Sequence, residues 1–172
     1  MFTYFTETYF FTATIHNWQK LLEKNFCKQI ILDSLEYMCN AGRISTHAFV
    51  IMPNHIHVLL TLGKDEKQES FQRDFLKFTA QQMIKRIVLL GDEKELETYH
   101  STQADRVYQI WERRPKWKNV SNQLILEQKK QYIHENPLQE HWKLADQPED
   151  YYWSSASFYL KNNQNFNFLS YL

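Results

Sequence analysis

The chain has 172 residues, 43% hydrophobic and 16% aromatic, with only 3 glycines and 4 prolines. That composition describes one packed domain over residues 1–172 and excludes a disordered or fibrous polypeptide. Formal net charge is zero, 20 basic side chains against 20 acidic ones, which excludes a polycation that holds nucleic acid by bulk charge.

Taken in order, Thr8–Ile15 is rich in aromatic and β-branched residues, as a strand requires. From Leu21 to Asn40, Leu22, Phe26, Ile30, Ile31, Leu35 and Met38 recur at three- and four-residue spacing. The spacing predicts an amphipathic helix, ended by Gly42 as a left-handed cap. Cys27 and Cys39 fall in this helix without Cys-x-x-Cys spacing and read as reduced, partly buried thiols. Residues 44–52 and 55–62 read as two strands joined at Pro53-Asn54, where Pro fixes φ and Asn tolerates left-handed backbone. Ser70 is placed to cap a second helix running to Leu90, with Phe71, Phe75, Leu76, Phe78, Met83 and Ile87 on its buried side.

The acidic segment 91–105 has no period and reads as an exposed loop. Val107–Trp111 and Lys116–Val120 are short strand candidates on either side of a basic elbow, Arg113-Arg114-Pro115. Ser121 or Asn122 opens a third helix that stops at Asn136, because Pro137 disfavours helical geometry in the residue before it. The aromatic tail, from about residue 145 to 172, is expected to pack back on the sheet. This element order predicts an α+β sandwich, a mostly antiparallel sheet with helices packed on one face. No run of about 18 apolar residues is available to span a membrane. The start, Met1-Phe-Thr-Tyr-Phe-Thr-Glu7, lacks the basic-then-apolar pattern of a secretion signal, so a cytoplasmic protein is expected.

The chemistry concentrates in two places. Side chains alternate faces along a strand, so His55 and His57 point to one side while Ile56 and Val58 point to the other. Two imidazoles on one face of a rigid strand form a metal half-site. A histidine-triad hydrolase would need a third histidine at 59, where Leu59 stands, and a metallo-β-lactamase pattern would continue differently through Val58. On the third helix, Tyr132 and Asn136 are four apart and share a face. Two imidazoles and one amide oxygen leave open positions on Mg²⁺ or Mn²⁺ for water or phosphate oxygens. Between Arg106 and Lys130 basic residues outnumber acidic ones, and Arg113, Arg114, Lys116 and Lys118 are candidates to neutralise phosphates. Trp117, or Trp111, is a candidate to stack on unpaired bases. His47, His134 and His141 are read as structural or solvent-facing and not as metal ligands, His134 being the first exception to consider because it adjoins Tyr132.

Phe49-Val-Ile-Met-Pro-Asn-His-Ile-His-Val-Leu-Leu60 and Tyr132-Ile-His-Glu-Asn-Pro137 resemble the two signatures of single-tyrosine HUH transposases, closest to the REP-associated tyrosine transposase branch. Ile110-Trp-Glu-Arg-Arg114 and Pro148-Glu-Asp-Tyr-Tyr-Trp-Ser-Ser-Ala156 match in the same order, so the resemblance covers most of the chain. The segment Leu138–Ala145 departs from it, lacking a glycine the family commonly carries there. The resemblance implies a ferredoxin-like, RRM-like sandwich. It implies His55, His57 and Asn136 as ligands of a divalent metal, and Tyr132 as a nucleophile that cleaves and rejoins single-stranded or hairpin DNA through a 5′-phosphotyrosine. A domesticated hairpin-binding protein and a hydrolase using bound water are the alternatives. Relatives include monomers and homodimers that exchange the tyrosine helix.

Overall fold

The structure, a computed structural model, describes residues 7–172; residues 1–6, on which the signal-sequence reading drew, lie outside it. Four strands, β1 (Thr8–Thr14), β2 (Ile44–Ile51), β3 (His55–Leu62) and β4 (Lys116–Asn119), form one sheet in the order β2-β3-β1-β4. Every neighbouring pair is antiparallel. With α1 (Asn25–Asn40) between β1 and β2 and α2 (Gln68–Leu89) after β3, the path is that of a ferredoxin-like sandwich.

Strand alternation divides the sheet into two chemically different faces. Phe11 and Ala13 of β1, Phe49 and Ile51 of β2, and Ile56, Val58 and Leu60 of β3 point to one face. There Ile31 and Leu35 of α1 and Phe71, Phe75, Met83 and Ile87 of α2 close the main core over them. Phe11 meets Phe71 edge to face, ring centroids 5.5 Å apart, the arrangement that aromatic quadrupoles favour.

The opposite face carries Phe10, Ala48, Val50, Met52 and Leu59 beside the two histidines. These apolar residues also need cover. It comes from the third long helix, α4 (Gln123–Glu135), which lies against β2 and β3 and buries Leu126 and Ile133 in a second, smaller cluster. Burying each side chain is worth about 2 kcal/mol. The antiparallel sandwich is therefore as expected, and α1 and α2 share one face as expected, whereas α4 sits on the other.

Several boundaries differ from the sequence reading. Leu21–Glu23 forms a separate 3-10 turn before α1. Lys67, not Ser70, is the N-cap of α2. The segment read as an exposed loop holds a short helix, α3 (Glu93–Leu96), and a 3-10 turn (Glu97–Tyr99), and it buries Leu96 and Tyr99 in the main core. Residues 107–111 make only isolated bridges, Tyr108 to His100 and Trp111 to Ile15, so they form no strand. Asn122 is the cap of α4, its side-chain oxygen accepting the Ile125 N–H at 2.9 Å. Gly42 takes the left-handed conformation expected of it, φ +68°.

The tail packs back as expected: Phe158, in α5 (Ala156–Lys161), joins the main core with Phe166 and Leu169. Tyr151 donates from its hydroxyl to the Ile51 carbonyl at 2.8 Å. Cys27 is buried and Cys39 half-buried, both free thiols; burial pushes the Cys27 thiol up to about 12.

Candidate active site

β3 begins immediately after the Pro53-Asn54 turn, so His55 and His57 occupy the first turn-proximal positions of a strand paired on both sides. Each imidazole is held by its Nδ1. His55 Nδ1 donates to Asn54 Oδ1 at 2.7 Å. Asn54 is not among the left-handed residues; it serves the site with its side chain. His57 Nδ1 shares a 2.8 Å hydrogen bond with Thr12 Oγ1, its cross-strand neighbour on β1. The Asn54 oxygen requires Nδ1–H in His55 and the Thr12 hydroxyl can accept from Nδ1–H in His57; in that tautomer each Nε2 keeps a lone pair to ligate. Burial pushes His55 down to about 4 and His57 to about 3, so both are neutral at pH 7, the ligating form.

α4 supplies the other half. Its spacing sets Tyr132 and Asn136 one turn apart, and its position on this face brings both to the histidines. The Tyr132 ring lies 5.2 Å from the His57 ring, centroid to centroid, and 6.0 Å from that of Phe10, which stacks on His57 at 5.0 Å. Tyr132 stays 44% exposed, open to a substrate. Asn136 is buried and its side chain sits beside His55. His57 Nε2 and Asn136 Oδ1 are both buried polar atoms without a hydrogen-bond partner among the described residues. A buried acceptor left unpaired costs about 1–3 kcal/mol; both belong to neighbours of His55, whose ring centroid lies 4.8 Å from that of His57, and their chemistry fits a divalent cation. Among the described residues no three His, Cys, Asp or Glu side chains converge, so a metal held here would need the Asn136 amide beside the two histidines.

These residues line a cleft of about 1040 Å³. Arg113, Arg114, Lys116 and Lys118, the candidates for phosphate contact, are all exposed and line it. Lys129, which that reading counted in the patch without giving it a role, joins them; its ammonium lies 4.9 Å from the Phe10 ring centroid. Partial burial and then the Lys118 charge lower its pKa. The tryptophan candidates need correction. On β4, alternation turns Lys116 and Lys118 into the cleft and Trp117 to the helical layer, where it packs on Phe11 at 4.6 Å and donates to Gln72. Trp111 is buried and donates to Thr79. The indoles that do line the cleft are Trp18 and Trp142, and no motif marked either one. The groove on the outer face between α1 and α2, about 730 Å³, is lined by no histidine, cysteine or tyrosine.

No protein-family model and no curated protein matches the chain. Solved structures do. A REP-associated tyrosine transposase bound to a REP hairpin superposes with a TM-score of 0.63 at 21% identity, over 91% of this chain and 81% of that one. A candidate transposase from Deinococcus radiodurans R1 gives a TM-score of 0.50 at 17% identity, over 73% of this chain and 87% of its own. The fold is thus the one these transposases use. Among the described residues no helix is long and apolar enough to cross a membrane.

Proposed function

We propose that this protein is a single-tyrosine HUH transposase of the REP-associated kind, which cuts and rejoins single-stranded DNA at or near hairpin repeats. The observation that carries the reading is the meeting, in one cationic cleft, of Tyr132 with two buried, unpartnered acceptors, His57 Nε2 and Asn136 Oδ1. The hairpin-bound transposase of the same fold supports the substrate class.

The site's own residues account for the reaction. The cations of the elbow, β4 and Lys129 draw in the sugar–phosphate chain and leave bases unpaired. His55, His57 and Asn136 would hold a divalent Mg²⁺ or Mn²⁺, which supplies positive charge to the phosphate oxygens. Tyrosine has a reference pKa of about 10, so it needs such an environment to act as a nucleophile near neutrality. Tyr132 Oη gives its proton to water and attacks phosphorus; the bond to the 3′ oxygen breaks, and that oxygen takes a proton from water and leaves as a 3′-hydroxyl. The 5′ phosphate remains on Tyr132 as a phosphodiester. Attack on it by another 3′-hydroxyl rejoins DNA and frees the tyrosine, with no nucleotide triphosphate consumed.

The test is incubation with labelled single-stranded hairpin oligonucleotides, with and without Mg²⁺ or Mn²⁺, beside Tyr132→Phe and His57→Ala. A denaturation-resistant protein–DNA adduct that needs the metal, Tyr132 and His57 is expected, with DNA binding retained by Tyr132→Phe. Cleavage without an adduct would identify a hydrolase using bound water. Binding with no cleavage would identify a protein that keeps the fold for hairpin recognition alone.

A further inference from the structure

Trp18 stands out among the cleft residues. It is 66% exposed, and among the described residues no ring or cation pairs with it. Trp142, by contrast, is half-buried against the smaller cluster and packs near His55. Asn17 and Trp18 are consecutive left-handed residues, φ 53° and 57°. Asparagine tolerates that conformation; for a tryptophan it is a strained outlier that glycine would relieve. Strain of this kind persists where the surroundings over-determine it, and here they do. The Asn17 N–H donates to the Glu112 carboxylate at 2.7 Å, and the Trp18 N–H to the Ile15 carbonyl at 2.9 Å. Asn54 Nδ2 donates to the Trp18 carbonyl at 3.4 Å while Asn54 Oδ1 accepts from His55 Nδ1.

One side chain, Asn54, thus fixes both the Trp18 backbone and the first imidazole. The indole is held out in a cleft whose other exposed groups are mainly cations. A protein-docking surface would need a contiguous apolar patch. An exposed indole on a fixed backbone, among cations suited to phosphate, instead suits a nucleobase on a sugar–phosphate chain. We propose that Trp18 is the stacking platform for one unpaired nucleobase, in the nucleotide adjoining the phosphate that Tyr132 attacks. The inference rests on the strand-transfer reading above and adds a base-recognition position to it.

The experiment uses the oligonucleotide that the wild-type protein cleaves and a series carrying one abasic position at each site flanking the cut. Affinity is measured for wild type, Trp18→Ala, Trp18→Phe and Trp18→Gly. One abasic position is expected to weaken wild-type binding about 10-fold, within the range for loss of one base–aromatic stack. The same lesion should add nothing in Trp18→Ala, and Trp18→Phe should fall between. Trp18→Gly should bind as weakly as Trp18→Ala while melting above wild type, which separates lost stacking from a damaged fold. Wild-type affinity in Trp18→Ala, or an abasic penalty equal in both proteins, would overturn the proposal. If no oligonucleotide yields a Tyr132-dependent adduct, the strand-transfer reading fails, and an abasic scan along the whole of the hairpin oligonucleotide that the wild-type protein binds most tightly, read by affinity alone, still decides for or against the platform.

Discussion

Thr12 is the residue through which β1 reaches the site. Its hydroxyl fixes the His57 ring from the neighbouring strand, and partners of this sort typically change metal affinity 10–100-fold when removed. Thr12→Val keeps the shape and deletes the bond. It should weaken Mn²⁺ binding by about 10-fold or more in a spectroscopic titration without DNA, and Thr12→Ser should restore most of it. Equal Mn²⁺ affinity in wild type and Thr12→Val would mean that the imidazole needs no such support. Thr12 could not be found in the sequence, because its link to His57 depends on the register of strands 45 residues apart. His55, His57, Tyr132 and Asn136 were legible because strand and helix periodicity decide locally which side chains share a face. Trp117 was misread for the complementary reason. The alternation that sends Lys116 and Lys118 to the cleft sends the residue between them to the core.

Among the elements, α4 carries half of the site, so whatever holds α4 holds Tyr132 and Asn136. Two devices do so. Asn122 caps its first turn. Near its other end the buried His134 Nε2 lies 2.9 Å from Ser155 Oγ, which also accepts the Phe49 N–H of β2 at 3.0 Å. The tail residue Ser155 therefore bolts the tyrosine helix to the sheet. Ser155→Ala should lower stability by about 1–3 kcal/mol, since it strands buried polar groups, and should speed amide exchange in the second half of α4 more than in α2. Asn122→Ala should lose about 1 kcal/mol in the same denaturation experiment, with Asn122→Asp close to wild type. The sequence made most elements readable, because β1, β2 and β3 are dense in β-branched and aromatic residues and α1 carries its apolar residues at helical spacing. It hid α3 and the Glu97–Tyr99 turn, where two buried side chains, Leu96 and Tyr99, are spaced too sparsely in an acidic stretch to show a period. It also suggested a strand at 107–111, a β-rich run whose partners turned out to be single bridges.

At the scale of the whole molecule, zero net charge conceals a polarised surface, with Arg113, Arg114, Lys116, Lys118 and Lys129 gathered around one cleft. Binding of single-stranded DNA should therefore weaken with salt even though the protein as a whole is neutral. Lys118→Gln should reduce the slope of log affinity against log salt by about 0.7, the value for one phosphate contact on a single strand. An unchanged slope would remove Lys118 from the DNA path.

The tail adds a dependence on pH far from that cleft. His47 lies buried in β2, its Nδ1 donating to the Ser170 carbonyl at 3.0 Å and its Nε2 accepting from Thr61 Oγ1 at 2.8 Å. Tyr159 donates to the His47 carbonyl, and no charged side chain hydrogen-bonds to the ring among the described residues. Burial lowers the His47 pKa from 6.5, the Ser170 bond opposing it only in part. The unfolded chain therefore takes up a proton near pH 6.5 that the folded protein refuses. More protons are then bound by the unfolded state, so stability falls as pH drops below 6.5 and continues to fall until the folded pKa is reached. The contribution is fully present above pH 6.5 and reaches at most about 1.4 kcal/mol per pH unit on the acid side. Urea denaturation between pH 7.5 and 5 should show this loss in wild type and a shallower one, by up to one proton, in His47→Gln. Parallel slopes for the two proteins would mean that His47 titrates alike folded and unfolded, and that the tail does not seal it from water.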